Sequence, residues 1–442
     1  MLAASVRQKF PDIEIRVFDG QVEPDVKQRI LEFHPDLLGV TSTTPQVLDA
    51  YSLLDAVKQD SPDVYLVMGG PHATALPDEA SAHADCVVVG EGEKAIVHII
   101  KALNGGVLPS KIYVALGIEN LDDLPLPAYD LLDMDKYIWN VEGREQYWKA
   151  TNSGNPYPML RVITSRGCFF KCCFCSNSKR QTPVRYYSAE RMISDIEFQV
   201  DKYKLRSLWF DDDDFLTNRK RLSDFTSLFK QHGLDKKLTW ACEARVNDIT
   251  EESVKLLKSG GCIFIFLGIE SHSAKSLAYL KRNTVTTETV DKAVRLCHEN
   301  GLAVCASFIF GSPNETLEEM QETFDWMRTH RDKGLTLCYG GILIVFPGTE
   351  LYDYAVKEKL VDPQNFDYRM TMTTADPSQT YLVDRAVNPE RFKEFLDFVE
   401  ANMWLYNQVA LRNWKALLTR TYRKYLLKHF GDALNVAWRM ML

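Results

Sequence analysis

From Met159 to Phe346 the chain alternates short β-rich runs with helix-patterned segments, and this alternation constrains its architecture more than any other feature. The runs are MLRVITS, RSLWFDD, KLTWACEA, CIFIFLGIE, LAVCASFIFG and LTLCYGGILIVF. Strands separated by helices cannot pair as hairpins, so they fold into a parallel sheet with the helices as crossovers. The intervening helices carry start signals: Asn218, Thr250 ahead of Glu251 and Glu252, and Thr316 with Glu319 three residues on as a capping box. Six such units predict a partial (β/α)6 barrel over residues 159–350, with its chemistry at the carboxyl ends of the strands.

A second α/β pattern precedes it. IEIRVF at 13–18, LLGVTS at 37–42, VYLVMG at 64–69 and CVVVG at 86–90 read as strands. Between them Val47, Ala50, Tyr51, Leu54 and Val57 recur at helical spacing. Residues 1–110 are therefore expected to form a flavodoxin-like, Rossmann-type domain. LAASVRQKF already reads as its first helix, so the domain is expected to lack its first strand, leaving a gap with unpaired backbone groups unless another segment fills it. Residues 111–158, rich in Pro, Asp and Asn, read as a linker, and residues 351–442 as a helical C-terminal region.

A chain of 442 residues is long enough for two or three domains. A net charge of −8 argues against a nucleic-acid partner, whose phosphates need a basic face. The N-terminus lacks the apolar core of a signal peptide, and no run approaches the ~20 apolar residues of a spanning helix. The expected location is the cytoplasm. There the ten cysteines would stay reduced, which favours metal binding or catalysis over disulfides.

Four of those cysteines fall in Cys168-Phe-Phe-Lys-Cys172-Cys173-Phe174-Cys175, directly after the first barrel strand. In Cys-x-x-x-Cys-x-x-Cys, three thiolates on one tight loop can each bind one iron of a [4Fe-4S] cubane and leave the fourth iron open. Zinc usually wants four ligands in paired form, and no second pair or nearby histidine completes that set. Cys173 is out of phase and reads as a spare thiol.

The cysteine loop at the head of a six-unit barrel resembles the radical S-adenosylmethionine (SAM) superfamily. Further strand-end segments match the same pattern: Phe210-x-Asp212-Asp213-x-Phe215, Trp240-x-Cys242 with Arg245, Gly268-Ile269-Glu270-Ser271, Phe308-Ile309-Phe310-Gly311 and Pro347-Gly348-Thr349. Asn314 stands where many relatives have Gly, and Asn tolerates the left-handed conformation. The resemblance implies that Cys168, Cys172 and Cys175 hold the cluster and that its open iron chelates SAM. An electron then cleaves SAM to a 5′-deoxyadenosyl radical. It further implies that Phe174 and Ile309 lie near adenine, and that Asp212, Asp213, Arg245 and Glu270 hold the amino, carboxylate and ribose groups of SAM.

In the first domain, three loops follow strands: Thr41-Ser42-Thr43-Thr44-Pro45, Gly69-Gly70-Pro71-His72 and Gly90-Glu91-Gly92-Glu93. Together they resemble the cobalamin-binding domain of one radical SAM subgroup. That subgroup holds methyltransferases acting on unactivated carbon or phosphorus, and the anaerobic magnesium-protoporphyrin monomethyl ester cyclase. The resemblance implies cobalamin contacts from Thr41, Ser42, Thr43, Gly69, Gly70, Pro71, His72, Gly90, Glu91, Gly92 and Glu93. No Asp-x-His-x-x-Gly motif occurs, so cobalt takes no histidine through that motif. His72 reads chiefly as a loop-orienting residue and secondarily as a cobalt ligand.

The function expected is cobalamin-dependent methyl transfer, with a cobalamin-assisted oxidative cyclase or rearrangement enzyme as the rival and a non-catalytic cluster-binding sensor as the remote one. The resemblance implies an electron donor such as flavodoxin or ferredoxin. The C-terminal aromatic and basic residues Trp404, Arg412, Trp414, Lys415, Arg420, Tyr422, Arg423, Lys424, Tyr425, Lys428, Phe430 and Trp438 suit a helix packed over the barrel mouth or, less well, a membrane surface and a lipid-like substrate. No residue stands out as a catalytic acid or base. Cys338 reads as a buried structural thiol.

Overall fold

The structure is a computed structural model that describes residues 1–139, 144–179, 183–331, 333–372 and 387–411, with residues 413, 415 and 419. It contains two compact units: Met1–Tyr137 with Phe174–Arg185 and Val345–Thr373, and Ile138–Cys173 with Tyr186–Ile344 and Thr374–Leu442.

The first unit is built on four parallel strands, β1 (Leu37–Thr41), β2 (Tyr65–Gly69), β3 (Cys86–Val89) and β4 (Ile112–Val114), in the order β1-β2-β3-β4. Helix Val47–Asp60 covers one face, burying the five residues at helical spacing against Leu66, Met68 and Val87. The opposite face buries Val67, Cys86 and Val88 against Ala95 and Ile99 of helix Gly92–Asn104. Helices on both faces explain why β2 and β3 are nearly continuous apolar runs.

Two local expectations fail here. Residues 13–18 form no strand, because an extended run becomes one only where a neighbour supplies the ladder, and among the described residues β1 pairs with β2 alone. Phe18 is held instead under Arg29, whose guanidinium lies 4.8 Å from the ring centre. Conversely, Ile112–Val114 pairs with β3 although it lies in the stretch read as a linker. Three residues are too few to show a period.

The second unit is a six-stranded parallel sheet of β5 (Met159–Val162), β6 (Ser207–Phe210), β7 (Thr239–Ala244), β8 (Cys262–Glu270), β9 (Ala303–Phe310) and β10 (Leu335–Ile342). Its order is β10-β9-β8-β7-β6-β5, as expected for a partial (β/α)6 barrel. Helices start where the sequence marks them: Asn218, Thr250 and Thr316 each accept a backbone N–H three residues on, and so do Ser188 and Thr286.

Strand alternation sorts the side chains. Phe210 and Trp240 turn outward and pack with Phe215, Phe225 and Phe229. Met159, Trp209, Ala241, Phe264, Cys305 and Leu337 turn inward and pack on Tyr147 and Trp148 from helix Glu145–Ala150. Trp148 is fully buried, and its indole N–H donates to Thr239 Oγ1 at 2.7 Å.

The C-terminal part is helical where described, with Glu350–Lys357 in the first unit and Pro389–Ala410 in the second. Asn407 of the latter brackets Cys338, accepting from its N–H at 3.0 Å and donating to its carbonyl at 2.8 Å. Cys338 is a fully buried thiol. Trp404 is half-buried on the Pro389–Ala410 helix. Arg412, Trp414, Arg420, Tyr422, Arg423, Lys424, Tyr425, Lys428, Phe430 and Trp438 lie outside the described residues. No described helix is long and apolar enough to cross a membrane.

Trp148→Ala should lower the unfolding free energy by about 3–5 kcal/mol. Denaturant titration checks this, with Trp148→Phe expected to recover part of the loss by refilling part of the vacated volume.

Candidate active site

The cysteine loop leaves the sheet at the end of β5, and its first residues are fastened by Asp212 at the end of β6. Asp212 is completely buried. One carboxylate oxygen accepts from the Thr164 N–H at 3.1 Å and from Ser165 Oγ, and the other from Thr164 Oγ1 at 2.9 Å. Arg221 stands beside it, donating to the Thr164 carbonyl at 3.1 Å and the Tyr187 carbonyl at 3.1 Å. Burial pushes the Asp212 carboxyl above the usual range, and Arg221 with the Thr164 and Ser165 donors pulls it back.

Asp212, expected beside SAM, turns both oxygens to Thr164 and Ser165. Its lone pairs are used inside the protein, and what it holds is the start of the loop. Asp213, one residue on, is exposed.

Within the loop, Arg245 Nη1 donates to Cys172 Sγ at 2.9 Å, and Nη2 to Thr284 Oγ1 at 2.9 Å. The same guanidinium lies 3.6 Å from the Phe170 ring centre. Cys172 is buried, and Cys168 and Cys175 are half-buried. Burial pushes the Cys168 thiol up to about 11, against the Phe170 N–H and Arg245 and with Asp214 and Asp213. Phe174 is half-buried. Cys173 is fully buried, and its N–H donates to the Leu280 carbonyl.

None of the ten cysteines is in a disulfide. Among the described residues no three His, Cys, Asp or Glu side chains form a group suited to one metal ion. A cubane asks for something different, one thiolate per iron, and donors aimed at sulfur, such as Arg245 on Cys172, suit thiolate ligands.

Glu270 sits at the end of β8, where the pairing with β9 slips between Gly268 and Glu270. Its φ of 68° is left-handed, unusual for a residue with a side chain. Such a bulge re-aims a side chain. The carboxylate accepts from Lys281 Nζ at 2.9 Å and from Ser307 Oγ at 3.1 Å. Ile309 follows Ser307 on the same face of β9 and is half-buried, whereas Phe308 and Phe310 are buried. On the inward face Arg161 binds Asp211 through Nε at 2.5 Å and Nη2 at 2.9 Å. Beside them burial, aided by Asp211, raises the Glu243 carboxyl.

In the first unit the three expected loops come together at the carboxyl ends of β1–β3. Gly70 has φ 94°, and a Cβ there would collide with Thr41 Oγ1 and lie 3.2 Å from the Ser42 carbonyl. The His72 N–H points to that carbonyl at 3.4 Å, and the Gly90 N–H donates to Thr74 Oγ1 at 3.1 Å. Gly92 lets Leu2 approach to 2.9 Å of where its Cβ would stand. Thr41 and Thr43 are exposed, Gly69 and Pro71 line the same turn, and Ser42 and Glu93 are buried.

Two residues of this set are engaged by side chains of the same unit. His72 has no exposed surface, and its ring nitrogens face Thr44 Oγ1 at 3.2 Å and Glu79 Oε1 at 3.3 Å. Glu79 also accepts from Tyr51 at 3.0 Å and from Tyr368, so the histidine anchors the loop, the chief of its two expected roles. Glu91 is held by Arg185 through an ion pair at 2.5 Å and accepts from the Ile118 N–H at 2.8 Å. Its carboxylate braces the loop.

Sequence reasoning missed Arg221, Arg185 and Lys281, each a cation that stands beside a site carboxylate. No spacing rule announces such partners.

Two family models match this chain, Radical SAM superfamily over residues 162–327 and B12 binding domain over residues 1–100. An uncharacterised methyltransferase of Pyrococcus horikoshii is 34% identical over 403 residues, covering 85% of this chain and 81% of the relative. The anaerobic magnesium-protoporphyrin IX monomethyl ester cyclase of Rubrivivax gelatinosus is 26% identical over 410 residues, covering 85% of this chain and 69% of the relative. Among solved structures, the radical SAM methyltransferase TsrM of Kitasatospora setae, with cobalamin and a [4Fe-4S] cluster bound, matches with a TM-score of 0.66 at 17% identity, covering 92% of this chain and 85% of that one. That likeness speaks for the fold.

Asp212→Ala should cost about 3–5 kcal/mol, because it leaves Arg221 buried without its counter-charge. Asp213→Ala, at an exposed position, should cost less than about 1 kcal/mol. Denaturant titration of the two variants side by side checks the contrast.

Proposed function

We propose, for a chain that belongs to the radical SAM superfamily and carries a B12-binding domain ahead of its barrel, transfer of a methyl group to an unactivated carbon or phosphorus of a small-molecule substrate. Its cofactors are a [4Fe-4S] cluster, SAM and cobalamin. When bound, the cluster supplies the electron that cleaves SAM to a 5′-deoxyadenosyl radical, and cobalamin carries the methyl group.

In this reading Cys168, Cys172 and Cys175 hold the cluster, with Arg245 donating to the sulfur of Cys172. Glu270 takes the amino group of SAM, Ile309 and Phe174 border its adenine, and Asp213 supplies a further polar contact. Thr41, Ser42, Thr43, Gly69, Gly70, Pro71, Gly90, Gly92 and Glu93 cradle cobalamin, the glycines allowing close backbone approach. The inward face bearing Phe266, Glu243 and Tyr339 receives the substrate. An electron donor of the flavodoxin or ferredoxin type reduces the cluster, and ten cysteines without a disulfide suit the reducing cytoplasm.

The observation that carries the methyltransferase reading is the 34% identity to a methyltransferase across both the B12-binding and barrel regions. The match to the cyclase favours a second reading, oxidative cyclisation, which shares SAM cleavage and forms no S-adenosylhomocysteine.

The test is mass spectrometry of anaerobically reconstituted protein supplied with hydroxocobalamin, SAM and reductant. Methyl transfer predicts both 5′-deoxyadenosine and S-adenosylhomocysteine, and Cys172→Ala should abolish the first. Deoxyadenosine alone would favour the cyclase reading. Neither product from protein with an intact cluster would overturn both.

A further inference from the structure

We infer that Lys281 is a positioning residue for SAM, acting through Glu270. The inference rests on the reading above that Glu270 takes the SAM amino group. The two side chains are an ion pair almost shut off from solvent, Lys281 at 4% exposure and Glu270 at 9%. A carboxylate shut off from water to this extent is costly to keep unless a cation stands beside it. Lys281 supplies that cation at 2.9 Å on Oε1, while Ser307 donates to Oε2 at 3.1 Å. The oxygens are therefore fixed from two sides, and each keeps lone-pair capacity for a third donor.

The backbone is arranged around the same pair. The slip in the β8–β9 register and the left-handed φ of Glu270 turn its side chain back over Gly268. A Cβ at Gly268 would stand 2.5 Å from Glu270 Oε1 and 3.5 Å from Lys281 Nζ, so the absence of a side chain there gives the pair its room. Lys281 reaches this point as the C-cap of helix Ala274–Leu280, a helix end that favours a cation.

The test is equilibrium binding of SAM to anaerobically reconstituted protein without reductant. Variants are compared at matched cluster absorbance and after their melting temperatures confirm folding. Lys281→Met should weaken SAM binding about tenfold, the scale of a charge-assisted hydrogen bond. Glu270→Gln should weaken it by a similar factor. In the Glu270→Gln background, adding Lys281→Met should change affinity by less than about twofold, because a residue acting through another has no effect once that other is removed. Gly268→Ala, which crowds the carboxylate and leaves both charges in place, should weaken binding in the same direction, and Lys281→Arg should recover part of the Lys281→Met loss.

Wild-type affinity in Lys281→Met would overturn the inference while leaving Glu270 as a SAM contact. Equal weakening in both backgrounds would overturn it too, by assigning Lys281 a general packing role. Wild-type affinity in Glu270→Gln would remove the Glu270 reading itself.

Discussion

A carboxylate with no exposed surface fastens the cysteine loop to the sheet. Asp212 meets the backbone of Thr164, the hydroxyls of Thr164 and Ser165 and the charge of Arg221, and this cluster sets the point at which the chain turns from β5 toward Cys168. Removing a charge from water is costly unless donors and a counter-charge replace the lost hydration, and here three donors and the Arg221 guanidinium do so. Because β5 and β6 lie side by side in parallel register, the same contact ties the loop to the next strand.

The strand-end charges then divide by the direction in which they point. Asp212 continues the outward phase of Phe210 and serves the fold. Asp211 continues the inward phase of Trp209 and meets Arg161 on the inner face. Glu270 is brought round by a bulge and held by Lys281, and Arg245 is aimed at a cysteine sulfur. In the first unit the same division recurs. Glu91 and the Glu79–His72 pair brace the loops, and the glycines and exposed hydroxyls remain for a ligand.

The six barrel strands were legible because each is a long apolar run between capped helices, and the helix Val47–Asp60 because its five core residues keep helical spacing. IEIRVF misled because composition reports strand propensity and not the presence of a pairing neighbour. IYV escaped because three residues show no period. The cysteine spacing pointed to the family whose model matches the barrel region. What the sequence left ambiguous was which of two adjacent aspartates faces outward, and the phase of β6 held the answer, since Asp212 shares the parity of Phe210. For His72 and Glu91 a Gly-rich turn marks a site without saying which side chains complete it and which hold it in shape, and the structure shows both bound to neighbouring side chains.

Electron paramagnetic resonance of the dithionite-reduced protein, with and without SAM, tests the central claim most directly. The account predicts the signal of a [4Fe-4S]+ cluster whose g-values shift when SAM binds its open iron, and loss of that signal when Cys168, Cys172 or Cys175 is replaced by Ala. A spectrum unmoved by SAM, or a cluster that survives loss of any one of the three cysteines, would contradict it.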